Sequence, residues 1–212
     1  NNATLSIVNL MSSQTQEEQV LALASSASLL RARDVAALSL PTIILSRLVK
    51  DGRLRRVGRG VYARPDRPLS EHISLAEVAL RVPRGVICLL SALHIHGLGT
   101  QAPHQIWLAI PQNSPTPRFE RPSLRPVRMS GPALTEGIQS MRIDGLDVPV
   151  FNAAKTIADC FKYRNKIGID VALEALRDGW EQRKVSMDEL SYYANIDRVS
   201  NVMRPYMESV AT

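Results

Sequence analysis

Apolar positions along the chain follow short, punctuated elements up to about residue 66 and longer, more buried ones beyond it. In "TQEEQVLALASSA" (15–27), Val20, Leu21, Leu23 and Ala24 share one side and predict a first helix. "SLL" (28–30) reads as a short extended piece. "RARDVAALS" (31–39) reads as a compact helix turning Val35, Ala36 and Leu38 inward. Pro41 suits the first turn of a third helix, Pro41–Lys50, because its missing N–H has no partner to lose there. Asp51-Gly52 ends that helix. "RLRRVGRGVYAR" (53–64) then alternates Leu54, Val57 and Val61 with arginines around Gly58-Arg59-Gly60, which predicts a β-hairpin with a slim tip.

After the proline-bearing "RPDRPLS" (64–70) the rhythm changes. "EHISLAEVALRV" and "GVICLLSALHIHG" predict two helices, the second apolar enough to be buried and closed by Gly97. "QIWLAIP" predicts a buried strand, and Pro111 to Pro126, with five prolines, an exposed loop. "VRMS" and the pair "IQSMRI" and "LDVPVF" predict further strands, the pair joined by an Asp144-Gly145 hairpin turn. "NAAKTIADCFKYR", "IDVALEALRDGW", "SMDELSYYA" and "RVSNVMRPYMESV" predict four closing helices. The order helix, strand, helix, turn, helix, hairpin is that of a winged helix-turn-helix. The fold class is therefore α+β: a winged helix-turn-helix over 15–66, then a larger mixed α+β domain over 67–212. Residues 1–14 read as a disordered or non-native lead, with Met11 as a natural start.

Composition adds one thing to this picture. Among 212 residues, 45% hydrophobic and 22% charged are ordinary values, but a formal net charge of +6 is a basic surplus that favours polyanions. Nucleic acid, an acidic membrane and an acidic protein all qualify. No apolar stretch reaches the ~18 residues of a membrane span. Two cysteines, Cys88 and Cys160, are too few for a disulfide scaffold and point to a reducing cytoplasm.

The surplus is concentrated on the third helix and the hairpin. Ile44, Leu45, Leu48 and Val49 form one apolar stripe, leaving Thr42, Ile43, Ser46, Arg47 and Lys50 on the other side. A recognition helix needs this division, with one face docked and the other offered to the major groove. Arg47 suits guanine, Thr42 and Ser46 suit phosphate or base edges, and Ile43 suits a thymine methyl. In the hairpin, Arg53, Arg55, Arg56 and Arg59 would reach phosphates or the minor groove. A plain solvated surface is the other reading of such a charge run, and a basic membrane helix fails because these arginines alternate instead of following a helical period.

The chain resembles the AbiEi-type antitoxins of bacterial type IV toxin–antitoxin systems. The resemblance is carried by "LLRARDVAALSLPTIILSRLVKDGRLRRVGRGVYARPD", "SLAEVALRVPRGVICLLSALHIHGLGTQAPHQIWLAIP", "SGPALTEGI" and "NAAKTIADCFKYRNKIGIDVALEALRD". It implies a winged helix that binds double-stranded DNA at inverted repeats in the operon's own promoter and represses it. It also implies a C-terminal domain that counters a nucleotidyltransferase-like toxin without requiring a stable complex. Ile43 and Ile44 depart from the more polar helix expected for base readout.

Elsewhere the chemistry is sparse. Lys155, Lys162, Arg164 and Lys166 could form a second basic contact, or a solvated helix end with a Lys155–Asp159 ion pair. His94 and His96 lie two apart on a helix and point about 200° apart, so no shared metal is expected. Cys160 lies among Ile157, Ala158 and Phe161 on a packed face, and Trp107 and Trp180 read as core. No lysine has an acid two residues before it, as a common nuclease metal site needs, and there is no P-loop, G-x-S-x-G or H-E-x-x-H. Neither catalysis nor a cofactor is expected. Two rivals stand beside the antitoxin reading: a free-standing regulator whose C-terminal domain senses a ligand or oligomerises, and an interaction protein whose activity lies in that domain.

Overall fold

A computed structural model describes residues 15–27, 29–66, 71–118 and 122–211. The lead read at 1–14 and the later part, 67–70, of the linker read at 64–70 lie outside the described residues. Cα packing divides the chain into two units, one running through Glu77 and including Arg142–Leu146, the other comprising Val78–Met141 and Asp147 onward.

The first unit opens with α1 (Gln16–Ser26), whose start is a reciprocal cap. The Glu18 N–H donates to Thr15 Oγ1, and the Thr15 N–H donates to Glu18 Oε2. β1 (Leu30–Arg31) and α2 (Ala32–Ala37) follow, the latter begun by Arg31, whose N–H and guanidinium both bond Asp34. The reversal into α3 (Ile43–Lys50) passes through Ser39, held at φ 58°, and is closed by the Leu40 N–H donating to the Val35 carbonyl. α3 begins two residues later than its sequence pattern predicts, with Pro41 before the cap and Thr42 at it. Its far end is the expected one, Asp51 followed by Gly52 at φ 70°.

β2 (Arg55–Gly58) and β3 (Val61–Ala63) form the predicted hairpin, with a bulge where the register slips between Arg56 and Gly58. β3 also pairs with β1, giving the sheet order β1-β3-β2. Val20, Ala24, Leu30, Val35, Ile44, Leu45, Leu48 and Leu54 make one core. Each large apolar side chain buried there contributes roughly 1.5–3 kcal/mol. Ala36 and Leu38 are exceptions: both are expected inward and both are exposed, Leu38 at 52% because it caps α2 where the chain turns away from that core.

α4 (Ile73–Arg81) spans the division. The second unit contains β4 (Val86–Ile87), α5 (Leu89–His96), β5 (Ile106–Pro111), β6 (Leu124–Met129) and α6 (Pro132–Thr135). β7 (Ile138–Ile143) and β8 (Leu146–Phe151) follow, then α7 (Ala153–Lys162), α8 (Arg164–Ile167), α9 (Ile169–Glu181), α10 (Met187–Asp197) and α11 (Ser200–Val210). The strands form a mixed sheet of order β6-β5-β4-β8-β7. "GVICLLSALHIHG" is thus a strand-then-helix, not a helix throughout. Its first apolar pair lies in the sheet, between β5 and β8, and helix begins only at Leu89. Gly97 ends that helix at φ 62°, as expected.

The Asp144-Gly145 turn has positive φ at both positions, the geometry a two-residue hairpin turn demands. The proline-rich stretch is less of a loop than predicted, since Pro111 ends β5 and Pro126 lies inside β6. Arg128 fastens the connection with three bonds, from Nη1 to the carbonyls of Gln112 and Ser114 and from Nη2 to Thr116 Oγ1.

α7 is the axis of this unit. All its residues from Ala153 to Phe161 are buried, packed with Leu89, Leu93, Phe151, Leu176 and Leu190. Asn152 caps it, accepting from the Lys155 N–H. Cys88 and Cys160 are buried there, and burial pushes both thiols up. Trp107 is core at 5% exposure, but Trp180 is only partly buried, against expectation.

Candidate nucleic-acid interface

α3 divides as its sequence requires. Ile44, Leu45 and Leu48 are at most 3% exposed, while Thr42, Ile43, Ser46, Arg47 and Lys50 are all exposed. The cause is the phase of the apolar stripe: docking it against α1 and α2 turns the hydroxyl and basic positions to solvent. Arg47 and Lys50 make no ion pair among the described residues. Their charge is therefore available to a ligand.

The hairpin adds Arg53, Arg55, Arg56 and Arg59, all exposed, but they are not equivalent. Arg53 lies 3.5 Å from the Glu17 carboxylate of α1, a half-exposed pair worth ~0–1 kcal/mol. Arg56 donates from Nε to the Gly58 carbonyl at 3.2 Å, which ties it to its own strand. Arg59 sits at the turn, among residues whose neighbour Gly60 takes φ 72°. The Gly60 carbonyl accepts from the Ala32 N–H at 2.8 Å, so the hairpin tip is fixed to the start of α2. Arg64, after the hairpin, is held by Asp66 and Ser25 Oγ.

One participant was not legible in the sequence. Glu77, 8% exposed, lies against the backbone of Gly58, where an added Cβ would stand 2.3 Å from its carboxyl carbon. Gly58, lacking a side chain, leaves room for this close approach. No spacing links residues 58 and 77, so only the fold reveals the contact.

The second basic stretch is rearranged by the structure. Lys155 is fully buried and is not a surface contact: its Nζ lies 2.5 Å from Asp159 Oδ1 and 3.3 Å from Asp197 Oδ2. Lys162, one-third exposed, reaches Asp197 Oδ1 at 3.1 Å. The Lys155–Asp159 pair is therefore real but buried, because Asp197 at the end of α10 covers what reads as an exposed stripe. Burial is the main cause that raises the Asp159 carboxyl well above its ordinary range, with Lys155 pulling the other way and Asp197 adding to the rise. Its Oδ2 has no hydrogen-bond partner among the described residues. Arg164 donates to the Phe161 carbonyl, and Lys166 lies 5.6 Å from the Tyr163 ring centre.

His96 Nε2 donates to the Phe151 carbonyl at 2.7 Å, and burial lowers its pKa from the usual 6.5. No helix among the described residues is long and apolar enough to cross a membrane.

Three helices, a short strand and a basic hairpin, with the third helix presenting a polar face, define a winged helix-turn-helix of the DNA-binding regulator class. Residues 18–65 match a family model described as "Transcriptional regulator, AbiEi antitoxin", so the AbiEi resemblance read from the sequence holds over this unit. The chain is also similar to a solved structure, the crystal structure of RV2827C protein from Mycobacterium tuberculosis. That similarity has 16% identity and a TM-score of 0.62, over 93% of this chain and 78% of that one, and it speaks to fold alone. No curated protein matches the chain.

Proposed function

We propose that this protein is a DNA-binding antitoxin that represses its own type IV toxin–antitoxin operon and counters a nucleotidyltransferase-like toxin in the cytoplasm. The observation that carries the DNA half is the split of α3, with Ile44, Leu45 and Leu48 sealed into the core and Thr42, Ile43, Ser46, Arg47 and Lys50 turned outward. In this reading α3 enters the major groove of the operon's promoter at inverted repeats. Arg55, Arg56 and Arg59 hold flanking phosphate or minor groove, and Arg53 does so after exchanging Glu17 for phosphate. The family match over 18–65 supports the regulator function. The antitoxin half rests on the resemblance of the later segments, with no stable toxin complex required and no catalysis or cofactor invoked. Arg164 and Lys166 are the part of the second basic stretch left to meet an anionic surface, since Lys162 is engaged by Asp197.

Two measurements test the proposal. Fluorescence anisotropy of the full chain on promoter fragments at low salt should find duplex binding, and its absence rejects the DNA half. Co-expression with the adjacent gene should rescue growth, and failure of rescue rejects the antitoxin half. The restriction of the family match to 18–65 favours the free-standing regulator as the second reading. A neighbouring gene that is not nucleotidyltransferase-like would select it.

A further inference from the structure

The one large apolar side chain on the outward face of α3 has no structural reason to be there. Ile43 is 59% exposed, whereas the core beneath the helix is already filled by Ile44, Leu45 and Leu48. A β-branched residue does not favour a helix either. Thr42 before it and Ser46, Arg47 and Lys50 after it are polar, so the exposed apolar surface is a single side chain within a hydrophilic face. Ile43 is also the first residue of α3. In docked helix-turn-helix proteins, the N-terminal residues of the recognition helix are the ones that meet base edges.

We infer that Ile43 is a specificity residue that packs on the C5 methyl of a thymine, next to the guanine read by Arg47. This rests on the DNA-binding function proposed above and adds the identity of a base. The thymine methyl is the apolar group that a base pair of unmodified DNA exposes in the major groove, so it is the chemistry an isolated aliphatic side chain can recognise. Ile43 and Arg47 are four residues apart, within about 40° of one another around the helix and separated by about 6 Å along it. Base pairs rise about 3.4 Å each, so the two side chains address positions within about two base pairs. The preferred site therefore contains a thymine within about two base pairs of the guanine.

The test uses the full chain and duplexes enriched by repeated binding from a random pool. Each thymine of the enriched sequence is replaced singly by deoxyuridine, which removes the methyl and nothing else. For the natural protein, one position per half-site should weaken binding about three- to fivefold, the weight of one buried methyl group. Ile43→Ser should bind the thymine and deoxyuridine duplexes alike while Arg47 keeps its preference for guanine. Uniform tolerance of deoxyuridine by the natural protein overturns the inference, as does the same deoxyuridine penalty persisting in Ile43→Ser. Either result, obtained with sequence-selective duplex binding intact, leaves the DNA-binding function standing. Absence of any duplex enrichment rejects that function itself. Ile43 is outside the core, and an unchanged melting curve for Ile43→Ser verifies that folding is not the cause.

Discussion

Two groups of charge in this molecule look alike in sequence and differ completely in place. Arg47, Lys50 and the hairpin arginines stand in solvent, with Arg47 and Lys50 free of ion pairs among the described residues. Lys155, Asp159 and Asp197 are sealed inside the second unit, where they neutralise one another with help from Lys162. Within the outer group, Arg47 and Lys50 leave charge unspent for a polyanion. The inner group consumes its charge in holding α7 to the end of α10. The lesson is that charge density along a chain does not indicate a binding surface until the partner of each charge is known.

The largest expected effect breaks the inner group. Lys155→Met leaves Asp159 and Asp197 buried without their shared cation, and removing one partner of such a network costs about 3–5 kcal/mol. Urea melts should show that loss, whereas Arg47→Ala and Arg59→Ala should stay within about 0.5 kcal/mol of the natural protein. Equal stability of Lys155→Met would put the inner group on a par with a surface pair.

Next comes the outer group, read on DNA instead of on folding. Arg47→Ala should cost about 1–3 kcal/mol of binding to the preferred duplex and flatten the ranking of duplexes, as competition anisotropy would record. Arg56→Ala should weaken all duplexes alike. With about four to six phosphates neutralised, the log–log salt slope should be roughly −4 to −5 and should fall by about one unit per arginine removed. Arg53→Ala should move it less than Arg59→Ala, because Glu17 already engages Arg53. A slope near zero would make the outer group ornamental.

The smallest effect sharpens the comparison through pH. His96 has its folded pKa below 6.5, so the unfolded chain binds a proton more readily than the folded one. Its contribution is present above 6.5 and is lost as pH falls through the lower folded value. Thermal melts between pH 7.5 and 5 should therefore show a decline that is smaller in His96→Gln.

The winged unit was legible because its signals are local. The apolar stripe of α3, Gly52 and the alternation of Leu54, Val57 and Val61 each act within a few residues. The errors arose where distant partners decide. Val86 and Ile87 read as helix because sheet pairing with β5 and β8 is not written in their neighbours. Lys155 read as exposed because Asp197, which covers it, lies 42 residues away. Leu38 reads as inward only if α2 continues past Ala37, where it ends. The outward face of α3 was anticipated residue by residue, since burial there follows from helical phase alone.

β6 lies at one margin of the larger sheet, and Pro126 within it offers no N–H. Arg128, bonded to Gln112, Ser114 and Thr116, folds the preceding connection back beside that margin. A stray extended peptide therefore meets an incomplete ladder of donors and a cationic fringe. Edge-to-edge stacking of extended segments along β6 therefore gains little.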